Sequence, residues 1–168
     1  MPRVEERRWL VVYTRPLNEK KVYERLVQRG AEAYLPLKEE MRQWSDRKKK
    51  VQTPLIPSVV FAKIKPSEAA SLYEVSGVRN VLKHLGKPAV VQDWEILNLK
   101  LLLQEQVWEE VEGETLTLGD WVVVETGPFQ GAVGRVVRLQ NESRVCLTLE
   151  QVGRAYVVSV PQHSLRLR

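Results

Sequence analysis

Between residues 104 and 115 the chain carries five acidic side chains and no lysine or arginine, and apolar periodicity stops there. A hydrophobic core does not run through such a strip, so the 168 residues are expected to form two units joined by a linker. The charge divides the same way. Residues 1–103 carry 20 Lys/Arg against 12 Asp/Glu (+8), residues 104–115 none against five (−5), and residues 116–168 six against four (+2), which sum to the net +5. A polyanion contact, if there is one, belongs to the first part; the alternative is that the cations serve solubility. With 43% hydrophobic and 28% charged residues, both parts have the composition of folded domains.

Several function classes have little to build on. Cys146 is the only cysteine, so no intrachain disulfide and no cysteine metal cage can form, and a reducing cytoplasm is the expected setting. His84 and His163 are far apart and neither sits in a metal or nucleophile spacing. No paired carboxylates or activated nucleophile stand out, so neither an enzyme nor a cofactor or metal site is expected. No apolar run reaches the roughly 18–20 residues of a membrane span, and Met1 to Arg8 is charged without an apolar stretch behind it. A monomeric cytoplasmic protein is the expectation.

The first part alternates strands and helices. Trp9-Leu10-Val11-Val12-Tyr13 reads as a buried strand, and Pro16 ends it. From an Asn18 N-cap to Arg29, Val22, Tyr23, Leu26 and Val27 form one stripe, with Gly30 as the stop. Ala33 to Leu37 predicts a short strand, and the polar run Lys38 to Lys50 a hairpin or loop. Ser58 to Ile64 predicts a central strand, Ser67 to Val75 a short helix, Val78 to Leu85 a strand, and Asp93 a cap for a last helix whose Ile96, Leu97 and Leu101 can cover a sheet. The order describes an α/β sandwich of about 100 residues.

After the acidic strip come short strands at Trp121 to Glu125, Ala132 to Leu139, Arg144 to Glu150 and Ala155 to Val160, separated by turns at Thr126-Gly127-Pro128, residues 140–143 and Val152-Gly153-Arg154. So many strands in about 50 residues bury a core best as a small closed barrel. Gly127 and Gly131 suit backbone angles closed to other residues, and Gly134 marks a close approach between strands.

Three stretches together resemble the NusG family: Trp9 to Pro16; Pro54-Leu55-Ile56-Pro57-Ser58-Val59-Val60-Phe61 with Gly77-Val78-Arg79-Asn80-Val81 after it; and Gly119 to Val124 with Gly127-Pro128-Phe129 and Gly131 to Val137, which is similar to a KOW motif. Gln43-Trp44-Ser45-Asp46-Arg47-Lys48-Lys49 ahead of Pro54-Leu55 resembles the specialised UpxY-type paralogues, with which RfaH shares its overall plan. The resemblance implies an α+β chain: an NGN-like domain at 7–106, an antiparallel sheet flanked by helices; a linker at 107–117; and an SH3-like KOW β-barrel at 118–168.

It also implies a transcription elongation or antitermination factor. The first domain would dock on the clamp helices of RNA polymerase through an exposed apolar hollow, at Tyr13, Ile56, Val59 and Phe61, although strand-borne apolar side chains serve equally as sheet core. Val59 stands where relatives often carry an aromatic. Arg15, Lys20, Lys21 and Arg25 would meet the non-template DNA strand, or simply form a solvated helix face. In the barrel, Phe129, Val152 and Arg154 fall where the general factor holds a small-subunit ribosomal protein or Rho; Val152 replaces a usual phenylalanine, which weakens that contact. Trp44 fits either stacking on a base or covering a local apolar patch, and Arg47 to Lys50 either phosphate contact or a loop tip. Cys146 reads as a small packed residue. A competing reading is a general RNA-binding or ribosome-associated KOW protein, because the excess of Lys/Arg also suits rRNA.

Overall fold

Seven residues with apolar side chains on both sides, RWLVVYT, must run inside a sheet covered on two faces. In the computed structural model, which describes residues 3–111, 118–139 and 142–168, Arg8–Thr14 (β1) holds that place, with Leu10, Val11 and Val12 fully buried. Val59–Ile64 (β5) pairs antiparallel with β1, with Val60 opposite Val12 and Val59 opposite Tyr13. Glu32–Tyr34 (β2) lies outside β5, and Val78–Val81 (β6) and Val90–Val91 (β9) pair with β1. Helix Glu19–Gln28 (α1) and the 3-10 turns Pro66–Glu74 bury Val22, Leu26, Ala69 and Leu72 against Leu10, Val12, Val60 and Ala62. Because strand side chains alternate, Val11, Tyr13, Val59 and Phe61 point to the opposite face.

The polar run expected as a hairpin or loop is a hairpin, and two local departures from the sequence reading have simple causes. Leu37–Gln43 (β3) and Lys48–Pro54 (β4) pair with each other as a hairpin, closed by reciprocal Trp44–Arg47 backbone bonds. Pro54 therefore ends a strand instead of preceding one; it sits at the last ladder position, opposite Leu37. The strand expected over Val78 to Leu85 breaks after Val81, because Leu85 (φ +52°) and Gly86 (φ +78°) turn the chain so that Lys83–His84 (β7) pairs with Lys87–Pro88 (β8).

The chain divides into two compact units, Met1–Gln92 and Asp93–Arg168. The second opens with helix Asp93–Glu105 (α2), then Glu109–Val111 (β10), Leu118–Val124 (β11), Val133–Leu139 (β12), Glu142–Leu149 (β13), Arg154–Ser159 (β14) and Leu165–Leu167 (β15). All pairings are antiparallel, in the order β10-β14-β13-β12-β11-β15. Among the described residues this is an open path with two ends, where the sequence reading expected a closed barrel. Val137, Cys146, Ala155 and Val157 form a core cluster, with Val111 and Leu118 at its side. A Cβ on Gly134 would lie 2.5 Å from the Cys146 carbonyl oxygen, so the close strand approach expected there is present.

The break between units falls before α2, whereas the sequence reading placed this helix in a first domain ending at residue 106. The side chain of Asn98 explains the grouping: its Nδ2–H donates to the Val133 carbonyl (2.7 Å) and its Oδ1 accepts from the Val133 N–H (3.1 Å) in a buried setting. Trp94 meets Trp121 edge to face at 5.9 Å in the same unit. Part of the linker read at 107–117 is also structured. Glu109 and Glu110 lie on β10 and bond Arg144 (3.1 Å) and Arg154 (2.5 Å), so these acids find cations across the sheet edge rather than only water. The rest of that linker, 112–117, and the turn positions 140–141 lie outside the described residues.

Candidate functional site

The apolar set named from sequence converges in part. Tyr13 and Val59 stand directly opposite on β1 and β5, and Phe61 follows two residues along the same face. Tyr34, opposite Phe61 on β2, stacks on it with ring centroids 6.4 Å apart. The first unit's own helical segments lie on the other face of the sheet, with Leu10 and Val12. Ile56 belongs to the turn before β5. The expectation that these side chains line an open hollow does not hold in this conformation: Ile56, Val59 and Phe61 are 3%, 2% and 0% exposed, and only Tyr13 is half-buried. Apolar side chains on a two-faced strand are stable only out of water, at roughly 2 kcal/mol for a ring such as Phe61.

The cations are more scattered. Arg15, Lys20 and Lys21 are exposed and Arg25 is half-buried. Lys21 and Arg25 share a helix face by their i, i+4 spacing. Arg25, however, donates from a guanidinium N–H to the Ser76 carbonyl at 2.7 Å, and Lys20 donates to the Gln52 carbonyl of the hairpin at 2.9 Å. Two of the four thus brace the fold. Glu19, which sequence reading passed over, is buried; it accepts from the Ser58 N–H at 2.9 Å and holds that residue at φ +62° ahead of β5. A glutamate in a first helical turn carries no sequence signal of such a role beyond its preference for that turn.

On the second unit, Phe129 is buried in the turn between β11 and β12 beside Gly127 (φ +89°) and Gly131 (φ +92°). Val152 and Arg154 flank Gly153 at the turn into β14, with Arg154 held by Glu110. Burial pushes the Cys146 thiol up, as befits a packed residue. Among the described residues no group of His, Cys, Asp or Glu could hold a metal ion, and no helix is long and apolar enough to cross a membrane.

Residues 7–100, more than half of the chain, match the family described as transcription termination factor nusG. The chain belongs to the NusG family. Among solved structures, NusG from Thermotoga maritima, reported for its domain interaction, shares 21% identity at a TM-score of 0.50, covering 96% of this chain and 97% of that one. At that identity the likeness concerns the fold: a mixed α and β chain of antiparallel sheets with few helices. Chains of the MjSpt4:Spt5 complex in conformations A and B share 16% and 18% identity at TM-scores of 0.29 and 0.31, with 95% of this chain covered in each case. No curated protein matches the chain. The NusG match runs through Lys100, eight residues into α2 from Asp93, so the family pattern continues into the helix that opens the second unit.

Proposed function

We propose that this NusG-family transcription factor is an elongation and antitermination factor of the specialised UpxY/RfaH-like kind. Its first unit acts as an NGN domain that docks on the clamp helices of RNA polymerase and suppresses pausing, and its second acts as an SH3-like KOW domain that recruits a partner. The single observation that carries the docking reading is the apolar face shared by Tyr13, Val59 and Phe61, opposite the face that α1 covers. A helical tip needs such a surface, and the free energy needed to uncover it is subtracted from the affinity. Arg15 and Lys21, the exposed cations with no bracing bond described above, suit the non-template DNA strand, with Lys20 and Arg25 behind them. Phe129, Val152 and Arg154 remain the candidates for holding a small-subunit ribosomal protein or Rho.

The test is transcription on a paused template with purified polymerase and the full chain. Tyr13→Ala removes the one half-exposed member of the face and spares the buried ones; it should weaken polymerase binding about tenfold, as loss of a buried aromatic anchor does, and restore pausing. Unchanged binding and pausing would sink the reading. Tight RNA binding without polymerase affinity would favour the ribosome-associated alternative.

A further inference from the structure

Strand β10 holds only part of the edge it covers. Glu109–Val111 pairs with β14 over three positions, Glu109 opposite Val157, Glu110 opposite Tyr156 and Val111 opposite Ala155, whereas β13 pairs along the other side of β14 over six. The rest of that edge, at Arg154, Val158 and Ser159, has no strand beside it among the described residues. The chain enters β10 from α2 through Gln106, held at φ +56°. Left-handed geometry strains a residue that carries a Cβ, so letting β10 go would relieve it.

The side chains of β10 specify the contact. Successive strand residues point to opposite faces, so Glu109 and Val111 stand on the face of Cys146, Ala155 and Val157, and Glu110 on the face of Tyr156. On the first face Arg144 donates to the Glu109 carboxylate at 3.1 Å; on the second Arg154 donates to that of Glu110 at 2.5 Å. Each face of the edge thus offers an arginine. A strand reading acidic, acidic, apolar satisfies both while its third side chain packs against the Cys146 cluster, as Val111 does. Both ion pairs are open to solvent, where such pairs contribute little, so they select the occupant more than they grip it.

We propose that Glu109–Val111 is a built-in stand-in for a partner: it closes the β14 edge until an extended acidic strand of another protein takes its place across Arg144 and Arg154. An incoming strand of six residues can pair along the whole of β14, where the resident segment covers three positions. The longer ladder favours the newcomer, while tethering favours the resident by raising its local concentration to roughly millimolar. Such an exchange rests on the reading above, in which Val152 and Arg154, at the turn into β14, receive a partner. The partner's chemistry is then fixed by what it must displace: two adjacent carboxylates followed by an apolar residue.

The experiment follows the fluorescence anisotropy of a labelled peptide of residues 106–111 as the full chain is added. Glu109→Lys/Glu110→Lys makes both contacts repulsive, and this variant should bind the peptide about tenfold tighter than the parent, whose own copy competes. Its β14 amides that face β10 should exchange with solvent about tenfold faster, while those between β12 and β13 stay protected and report an intact sheet. Glu109→Gln/Glu110→Gln, which removes charge without repulsion, should give a smaller gain. Adding Arg144→Glu/Arg154→Glu to the lysine variant reverses the pairs and should close the edge again. The proposal is overturned if parent and lysine variant bind the peptide equally, if neither binds it, or if a peptide with lysine in place of both glutamates binds the variant as well. No ribosomal protein or Rho is present, so a failure here leaves their recruitment standing, and a failure of Val152→Ala to weaken that recruitment leaves the strand exchange standing.

Discussion

Tyr34 is half-buried and Tyr156 buried, and burial drives both phenols well above the ordinary tyrosine range. Up to about pH 10 each is neutral whether the chain is folded or not. Above that, the unfolded chain releases protons that the folded chain keeps, so stability falls as pH rises. The expected outcome is that the phenolate absorbance of these two appears only as the fold is lost, and that Tyr34→Phe or Tyr156→Phe removes part of the step; smooth titration of both in the folded chain would contradict it. Residue identity showed the parity of β1 and β5, hence which side chains share a face. It did not show that Val59 and Phe61 on that face are buried, because an alternating strand reads the same whether or not a given face is covered. Arg25 and Lys20 make the same point for charge: nothing in the sequence separates a cation aimed at a carbonyl of its own chain from one aimed at a phosphate.

At the level of elements, α2 was predicted with its start at Asp93, while its partner was not. The expected stripe of Ile96, Leu97 and Leu101 holds only in part, since Leu97 is exposed and Leu99 and Leu102 are buried with Ile96, and an apolar stripe in any case leaves open which sheet covers it. The deciding residue is Asn98, which in the sequence looks like an ordinary polar position. Asn98→Ala would leave the buried Val133 N–H and carbonyl short of partners, so about 2–3 kcal/mol of stability should be lost from the second unit, read by denaturant titration. A loss within 0.5 kcal/mol would mean water replaces the amide. The acidic strip misled for a related reason. Glu109 and Glu110 sit in an acid-rich stretch without apolar period and read as linker, yet β10 needs only a free edge of β14 and two arginines across it.

For the whole molecule, charge and periodicity pointed to two parts, but the acidic strip that suggested the division lies inside the second unit, Asp93–Arg168. The six-stranded sheet of the second unit ends in two very short strands, β10 and β15, of three residues each. Behind β15 runs the seven-residue, valine-rich β11, whose Val122, Val123 and Val124 stand opposite Leu167, Arg166 and Leu165. Removing residues 162–168 would lay that ladder bare. Light scattering should then show concentration-dependent clumping that the full chain lacks, and a truncated chain that stays monodisperse would refute the expectation. The last seven residues thus act as a selvedge: a narrow finished border that keeps one copy of the molecule from being stitched to the next.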